Sequence, residues 1–135
     1  MKYLAAIAGA LLGLVFVASG IVVLFKLAPM PPIPEGTPHA HFMAAFVPTG
    51  YLTFVKVLEV LGGLLVAIPR TRNLGLLVLG PILVNILAFH AFVTNIRDLL
   101  NPVLIVLVLL ALFLLWVERA AFLGLVTRSS KSAAR

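Results

Sequence analysis

Four long apolar runs, at positions 4–27, 51–69, 74–94 and 102–118, dominate this 135-residue chain. A helix needs about 20 apolar residues to cross the hydrocarbon core of a bilayer, and each run reaches or approaches that length. Apolar residues make up 63% of the sequence and charged residues only 10%, far from the composition of a soluble domain. The first run is too long for the apolar core of a signal peptide, so we predict an uncleaved span. We therefore expect one all-α membrane domain, a bundle of four transmembrane helices with the lipid bilayer as its partner.

The positive charges predict how this bundle is oriented. Under a four-span arrangement seven Lys and Arg residues fall on one side, and only Lys26 and Arg97 lie in the connections on the other. By the positive-inside rule both termini are cytoplasmic, as expected of a multi-pass protein of a bacterial inner (plasma) membrane with a basic cytoplasmic tail at 119–135. The net charge is +6, but the basic residues do not follow one face, so we expect no nucleic-acid partner. The seven residues are Lys2, Arg70, Arg72, Arg119, Arg128, Lys131 and Arg135.

Small residues predict where the helices approach each other. Gly9 and Gly13 in the first run have the small-xxx-small spacing, and Gly62 and Gly63 lie side by side in the second. In a bilayer, helices associate through close backbone packing, which small residues permit. We expect these four glycines at helix–helix contacts.

Polar side chains inside the apolar runs predict the functional site. Lys56 and Glu59 lie one helical turn apart and can form an ion pair, whereas either charge alone in hydrocarbon costs several kcal/mol. At 1.5 Å per residue, Asn85 lies at the depth of Glu59, and His90 near that of Lys56. We predict a ligand-binding or proton-relay cluster of these four residues in the outer half of the bundle; the alternative is a structural ion pair with interhelical hydrogen bonds. Asn85 and His90 are about 140° apart around their helix, which predicts that they do not face one spot.

The connection at 28–50 is rich in proline, which predicts a stiff outer loop. We expect a short interfacial helix over 38–46, with Thr37 as its N-cap and a proline at its first position. His39 and His41 invite a metal site, but on a helix they are about 200° apart, which spoils chelation. We assign no metal site; the two histidines remain candidates as a pair, or one of them in a mixed site. The absence of cysteine excludes disulfide and thiol chemistry.

A Lys-x-x-Glu-x-x-Gly-Gly pattern at 56–63 is the most specific motif in the chain, since apolar composition alone would not produce it. Together with the stretches 17–20 and 88–90 it resembles the DoxX family of small four-helix membrane proteins, over most of the chain. The family takes its name from a subunit associated with an archaeal thiosulfate:quinone oxidoreductase, and other members are linked to envelope redox-stress systems. Nothing is carried over to the proline-rich loop. By position, the resemblance implies roles for Lys56, Glu59, Gly62, Gly63 and His90.

Two functions follow from these observations. In the first, the bundle binds a quinone or a similar small amphiphile, with Lys56 and Glu59 relaying protons and Asn85 or His90 hydrogen-bonding a carbonyl. Such a protein is an accessory subunit with membrane or periplasmic redox partners rather than an enzyme on its own. In the second, it is a non-catalytic scaffold whose ion pair fixes the helix register. A small transporter, hinted at by Pro81 in the third run, is the third alternative, and it would need a homo-oligomer.

Overall fold

The described part of the chain folds into a series of helices, six of them α-helical. The computed structural model describes the backbone of residues 1–133 and the side chains of residues 1–127. Within that part of the chain there is no β-strand. The elements are α1 (Lys2–Leu24), α2 (Pro38–Phe46), α3 (Tyr51–Ala67), α4 (Arg72–Phe92), a 3₁₀ turn (Ile96–Leu100), α5 (Pro102–Val117) and α6 (Arg119–Ala133).

Length and hydropathy identify the candidate membrane spans. Helices α1 and α4 are each long and apolar enough to cross a membrane. Two pairs of consecutive helices meet the same criterion only when each pair is taken together. The axis bends by 87° between α2 and α3, and by 59° between α5 and α6. The described residues therefore contain two candidate spans, or up to four if each bent pair counts as one. This is compatible with the predicted all-α membrane class. The 87° bend also sets α2 across the end of α3 instead of in line with it.

The helix ends differ from the predicted runs by a few residues. Helix α1 ends at Leu24, because Lys26 takes a positive φ of 53°, and this left-handed conformation ends a helix. Helix α4 begins at Arg72 and not at position 74, which brings a charged side chain into the bundle. The predicted basic tail begins as helix α6. Its Arg135 and the side chains of Arg128 and Lys131 lie outside the described part of the chain.

Helix α1 packs most extensively against α3, α3 packs against α4, and α5 lies against α1. The first of these contacts joins backbone to backbone. A Cβ added to Gly13 would overlap the Gly63 carbonyl oxygen, and one added to Gly63 would lie 2.9 Å from the Gly13 oxygen. On the next face of α3, a Cβ on Gly62 would lie 2.7 Å from Leu79 Cδ2 of α4. A cluster of buried apolar side chains fills the space between the helices: Leu12, Phe16, Val66, Leu76, Leu79, Leu83, Leu104, Leu107 and Leu114.

Candidate functional site

The Lys56–Glu59 ion pair lies inside the bundle on α3. Lys56 Nζ donates a hydrogen bond to Glu59 Oε2 at 2.9 Å, as the i, i+3 spacing predicts. The glutamate is only 3% exposed, whereas the lysine side chain is 24% exposed. Lys56 therefore supplies the charge that a buried carboxylate requires, while its own side chain stays partly exposed.

Glu59 lies at the floor of a cavity of about 490 Å³. The other floor residues, Phe16, Leu104 and Leu107, are also buried and come from α1 and α5. Most of the exposed lining residues lie at the helix ends nearest to α2, so the cavity is a bowl that opens mainly at the α2 end of the bundle, and two lie farther along α1 and α4. Its volume is within the range of roughly 300 to 1,000 Å³ that is usual for small-molecule sites. The exposed residues nearest to α2 are Val23, Met30, Tyr51, Asn101 and Val103, and the two farther along are Ser19 and Asn85.

Helix α4 places both Asn85 and His90 on the wall of this cavity. The two side chains lie about 140° apart around α4, and both still line the same cavity. Ile86 and Phe89 line the cavity as well, so it extends around a wide arc of α4 and accommodates both directions. Neither the Asn85 side chain nor His90 Nδ1 is hydrogen-bonded to any described residue, although Nδ1 is buried. The interhelical hydrogen bond that was the structural alternative for Asn85 is therefore not formed within this part of the chain.

Helix α2 covers part of the cavity mouth. The helix has the predicted bounds, and the Thr37 hydroxyl at its N-cap accepts a hydrogen bond from the Ala40 amide at 3.2 Å. His39 lines the cavity but His41 does not, as their opposite directions on a helix require. The described residues contain no group of three or more His, Asp or Glu side chains that could hold a metal ion.

A second ion pair, which the sequence did not predict, lies at the end opposite α2. Arg72 was expected in a connection between helices, but only 5% of its surface is exposed. Its Nη1 donates a hydrogen bond to Glu118 Oε1 at 3.3 Å. Arg72 fits inside because Gly9 of α1 leaves room: a Cβ there would lie 3.2 Å from Arg72 Nε. The atoms Nε and Nη2 are buried without a described hydrogen-bond partner. The signal that could have revealed the pair was Glu118, one of only four acidic residues in the sequence.

We predict that Glu118→Gln destabilises the protein, since it leaves a buried guanidinium without a counter-charge. The loss should be about 1 to 3 kcal/mol, the usual cost of weakening a buried hydrogen-bonded charge. Thermal unfolding in detergent measures it. Glu35→Gln is the matched control, because Glu35 is exposed and belongs to neither ion pair. Equal melting temperatures of the two variants would show that the Arg72 pair contributes nothing.

The fold and the cavity thus define an all-helical chain with two to four candidate membrane spans and a partly polar cavity at one end. A sequence comparison finds similarity to "Uncharacterized protein YwoB" of Bacillus subtilis (strain 168), 36% identical over 76 residues. The aligned region covers 56% of this chain and 47% of the relative, so the match spans about half of the relative's length. No protein-family model matches the sequence, and no solved structure matches it significantly.

Proposed function

We propose that this chain is a DoxX-like, four-span protein of the bacterial inner membrane that binds a quinone or a similar small amphiphile. In this proposal it acts as an accessory subunit of a membrane redox system. The observation that carries it is the cavity, which brings together a buried ion pair on α3 and two polar groups on α4 that have no hydrogen bond to the described protein.

The topology within this proposal counts each bent helix pair as one span. Arg70 then lies in the connection between α3 and α4, Arg72 at the start of α4 and Arg119 at the bend between α5 and α6, all at the end opposite α2. Positive residues favour the cytoplasmic side. Both termini are cytoplasmic in this arrangement, and the cavity opens toward the outer face. An amphiphile dissolved in the bilayer and a periplasmic partner could both reach that side.

The cavity supplies the contacts that a quinone headgroup requires. Its floor is apolar apart from Glu59 and accepts a ring. Lys56 Nζ and the Asn85 amide can donate hydrogen bonds to carbonyl oxygens, and the Glu59 carboxylate can accept one from a hydroxyl. The His90 imidazole lines the cavity and makes no hydrogen bond to the described protein, so it offers a further polar group. Reduction of a quinone to a quinol adds two protons and two electrons, and oxidation of the quinol releases them. Lys56 and Glu59 relay the protons, and a partner subunit supplies or accepts the electrons.

One observation favours the scaffold as the second candidate. The Lys56–Glu59 pair is made within a single helix at 2.9 Å, and an ion pair that is complete in this way needs no ligand. The transporter alternative has no such support, because α4 runs unbroken from Arg72 to Phe92 through Pro81. A broken helix at the midplane would be the feature expected of a transport site.

We predict that His90→Ala weakens binding of a quinone probe, decylubiquinone, while His41→Ala does not. His41→Ala is the matched control, because His41 does not line the cavity and His90 does. Loss of one hydrogen bond of about 1.4 kcal/mol corresponds to tenfold weaker binding. Titration of the purified protein in lipid nanodiscs measures both dissociation constants. If the probe binds wild type and both variants equally, the ligand does not occupy this cavity.

A further inference from the structure

We propose that α2 is a movable lid over the cavity, held shut by the ring of Phe89. This inference rests on the proposed function, because the cavity is taken to hold a ligand. It goes further by stating how access to that ligand is controlled. It also adds His39, on the lid itself, to the polar groups that surround a bound molecule.

The first observation is the position of α2. The helix is bent by 87° from α3, so it lies across the mouth of the bowl and not along the bundle. Three of its side chains, His39, Phe42 and Met43, line the cavity from above. Glu59 lies at the opposite end of the same cavity, on its floor. A molecule seated on Glu59 therefore lies in a cavity that α2 helps to enclose.

The second observation is how weakly α2 is attached. The helix has no buried residue. Every hydrogen bond described for it joins it to residues of its own segment, 34–50, and neither described ion pair involves it. The elements that open in a protein are those with few buried contacts and few polar ties to the rest. Helix α2 meets both conditions.

The third observation is the pair of aromatic contacts that join α2 to α4. The Phe42 ring lies 4.9 Å from the Phe89 ring, edge to face, and the His39 ring lies 5.3 Å from the same Phe89 ring. Edge-to-face pairs at this separation contribute about 0.5 to 1.5 kcal/mol each. Phe89 of α4 therefore holds α2 with an energy small enough for a ligand to overcome.

The fourth observation concerns the two ends of the segment. Gly36 precedes α2 with a φ of 75°, and Gly50 precedes α3 with a φ of 80°. Glycine populates such angles without steric cost. No atom lies within 4 Å of a Cβ built on either residue, so the chain has space to turn at both positions. These two glycines are the hinges of the lid.

Distance measurement between two spin labels tests the lid in the full chain. The sequence has no cysteine, so labels attach only where cysteines are introduced. Ala44→Cys places one on the exposed side of α2. Leu64→Cys places the other on α3, half exposed and about 20 Å along the helix from its first residue. This labelled protein in lipid nanodiscs is the parent.

We expect Phe89→Ala to shift the mean distance between the two labels by about 5 Å or more. A nine-residue helix is about 13 Å long, so a helix that swings open about one end moves its labelled side by a fraction of that length. Phe92→Ala is the matched control, because Phe92 lies one turn further along α4 and is 85% exposed; it should leave the distribution unchanged. Phe42→Ala removes the closer of the two Phe89 contacts from the lid side and decides the test if Phe89→Ala does not fold. If the variant that folds keeps the parent distribution, α2 is not a lid.

This experiment separates the lid from the proposed function. The distances are read without any ligand, so a lid that opens in Phe89→Ala supports the inference even if decylubiquinone fails to bind. Conversely, a probe that binds through His90 while the labels never move supports the site and overturns the lid. Decylubiquinone added to the parent should narrow the distribution toward the closed distance.

Discussion

Gly13→Leu is expected to abolish the folded bundle. A Cβ at this position would overlap the Gly63 carbonyl oxygen and lie 2.9 Å from the Ala67 Cβ. The obstacle is the backbone of α3, which cannot turn aside as a flexible side chain can. Overpacking a core usually costs 1 to 3 kcal/mol, and we expect a loss of more than about 3 kcal/mol here, because the most extensive helix contact must separate. Monodisperse yield after detergent extraction and the thermal melting curve measure this effect.

Gly80→Leu is the matched control for this prediction. Gly80 also lies inside an apolar helix, but nothing lies within 4 Å of an added Cβ. The control should express and melt like the wild type. If Gly13→Leu melts at the same temperature as Gly80→Leu, then α1 and α3 do not pack through their glycines.

Lys56→Met is expected to produce the second large effect, because it leaves the buried Glu59 carboxylate without its partner. Removing one member of a buried ion pair costs about 3 to 5 kcal/mol. Replacing the pair by apolar side chains of similar volume is often neutral, so the double variant Lys56→Met, Glu59→Leu should recover most of the stability. Denaturant unfolding of the two single variants and the double variant completes the cycle.

The cycle also discriminates between the two functions. A scaffold in which the ion pair only fixes the register should tolerate the double replacement in every respect. A binding site should keep its stability but lose its ligand. A double variant as unstable as Lys56→Met alone would contradict the expected recovery and show that the pair is needed for folding itself.

Much of the local structure could be predicted from the sequence because it depends on short-range spacing. The ion pair follows from the three-residue separation of Lys56 and Glu59 on one helix. The start of α2 follows from Thr37, whose hydroxyl caps the first turn. The helical class follows from the apolar runs, since backbone groups in hydrocarbon must satisfy each other.

The features that could not be predicted depend on contacts between distant parts of the chain. Arg72 and Glu118 are 46 residues apart, and nothing local indicates that the start of α4 packs close enough to α1 to bury an arginine. How Asn85 and His90 reach one cavity from different sides of α4 could not be predicted for a related reason. An angle around one helix gives the direction of each side chain, but the breadth of the space it faces depends on where α2 and α5 lie.

The measurement that tests the central claim most directly is identification, by mass spectrometry, of the small molecules that co-purify with the protein in mild detergent. Wild type and the double variant Lys56→Met, Glu59→Leu are compared, with Glu35→Gln as the control that leaves the cavity unchanged. We predict a quinone or another small amphiphile in the wild type and in Glu35→Gln, and its loss from the folded double variant. If all three carry the same molecules in the same amounts, the cavity around Glu59 is not a binding site and the proposed function is wrong.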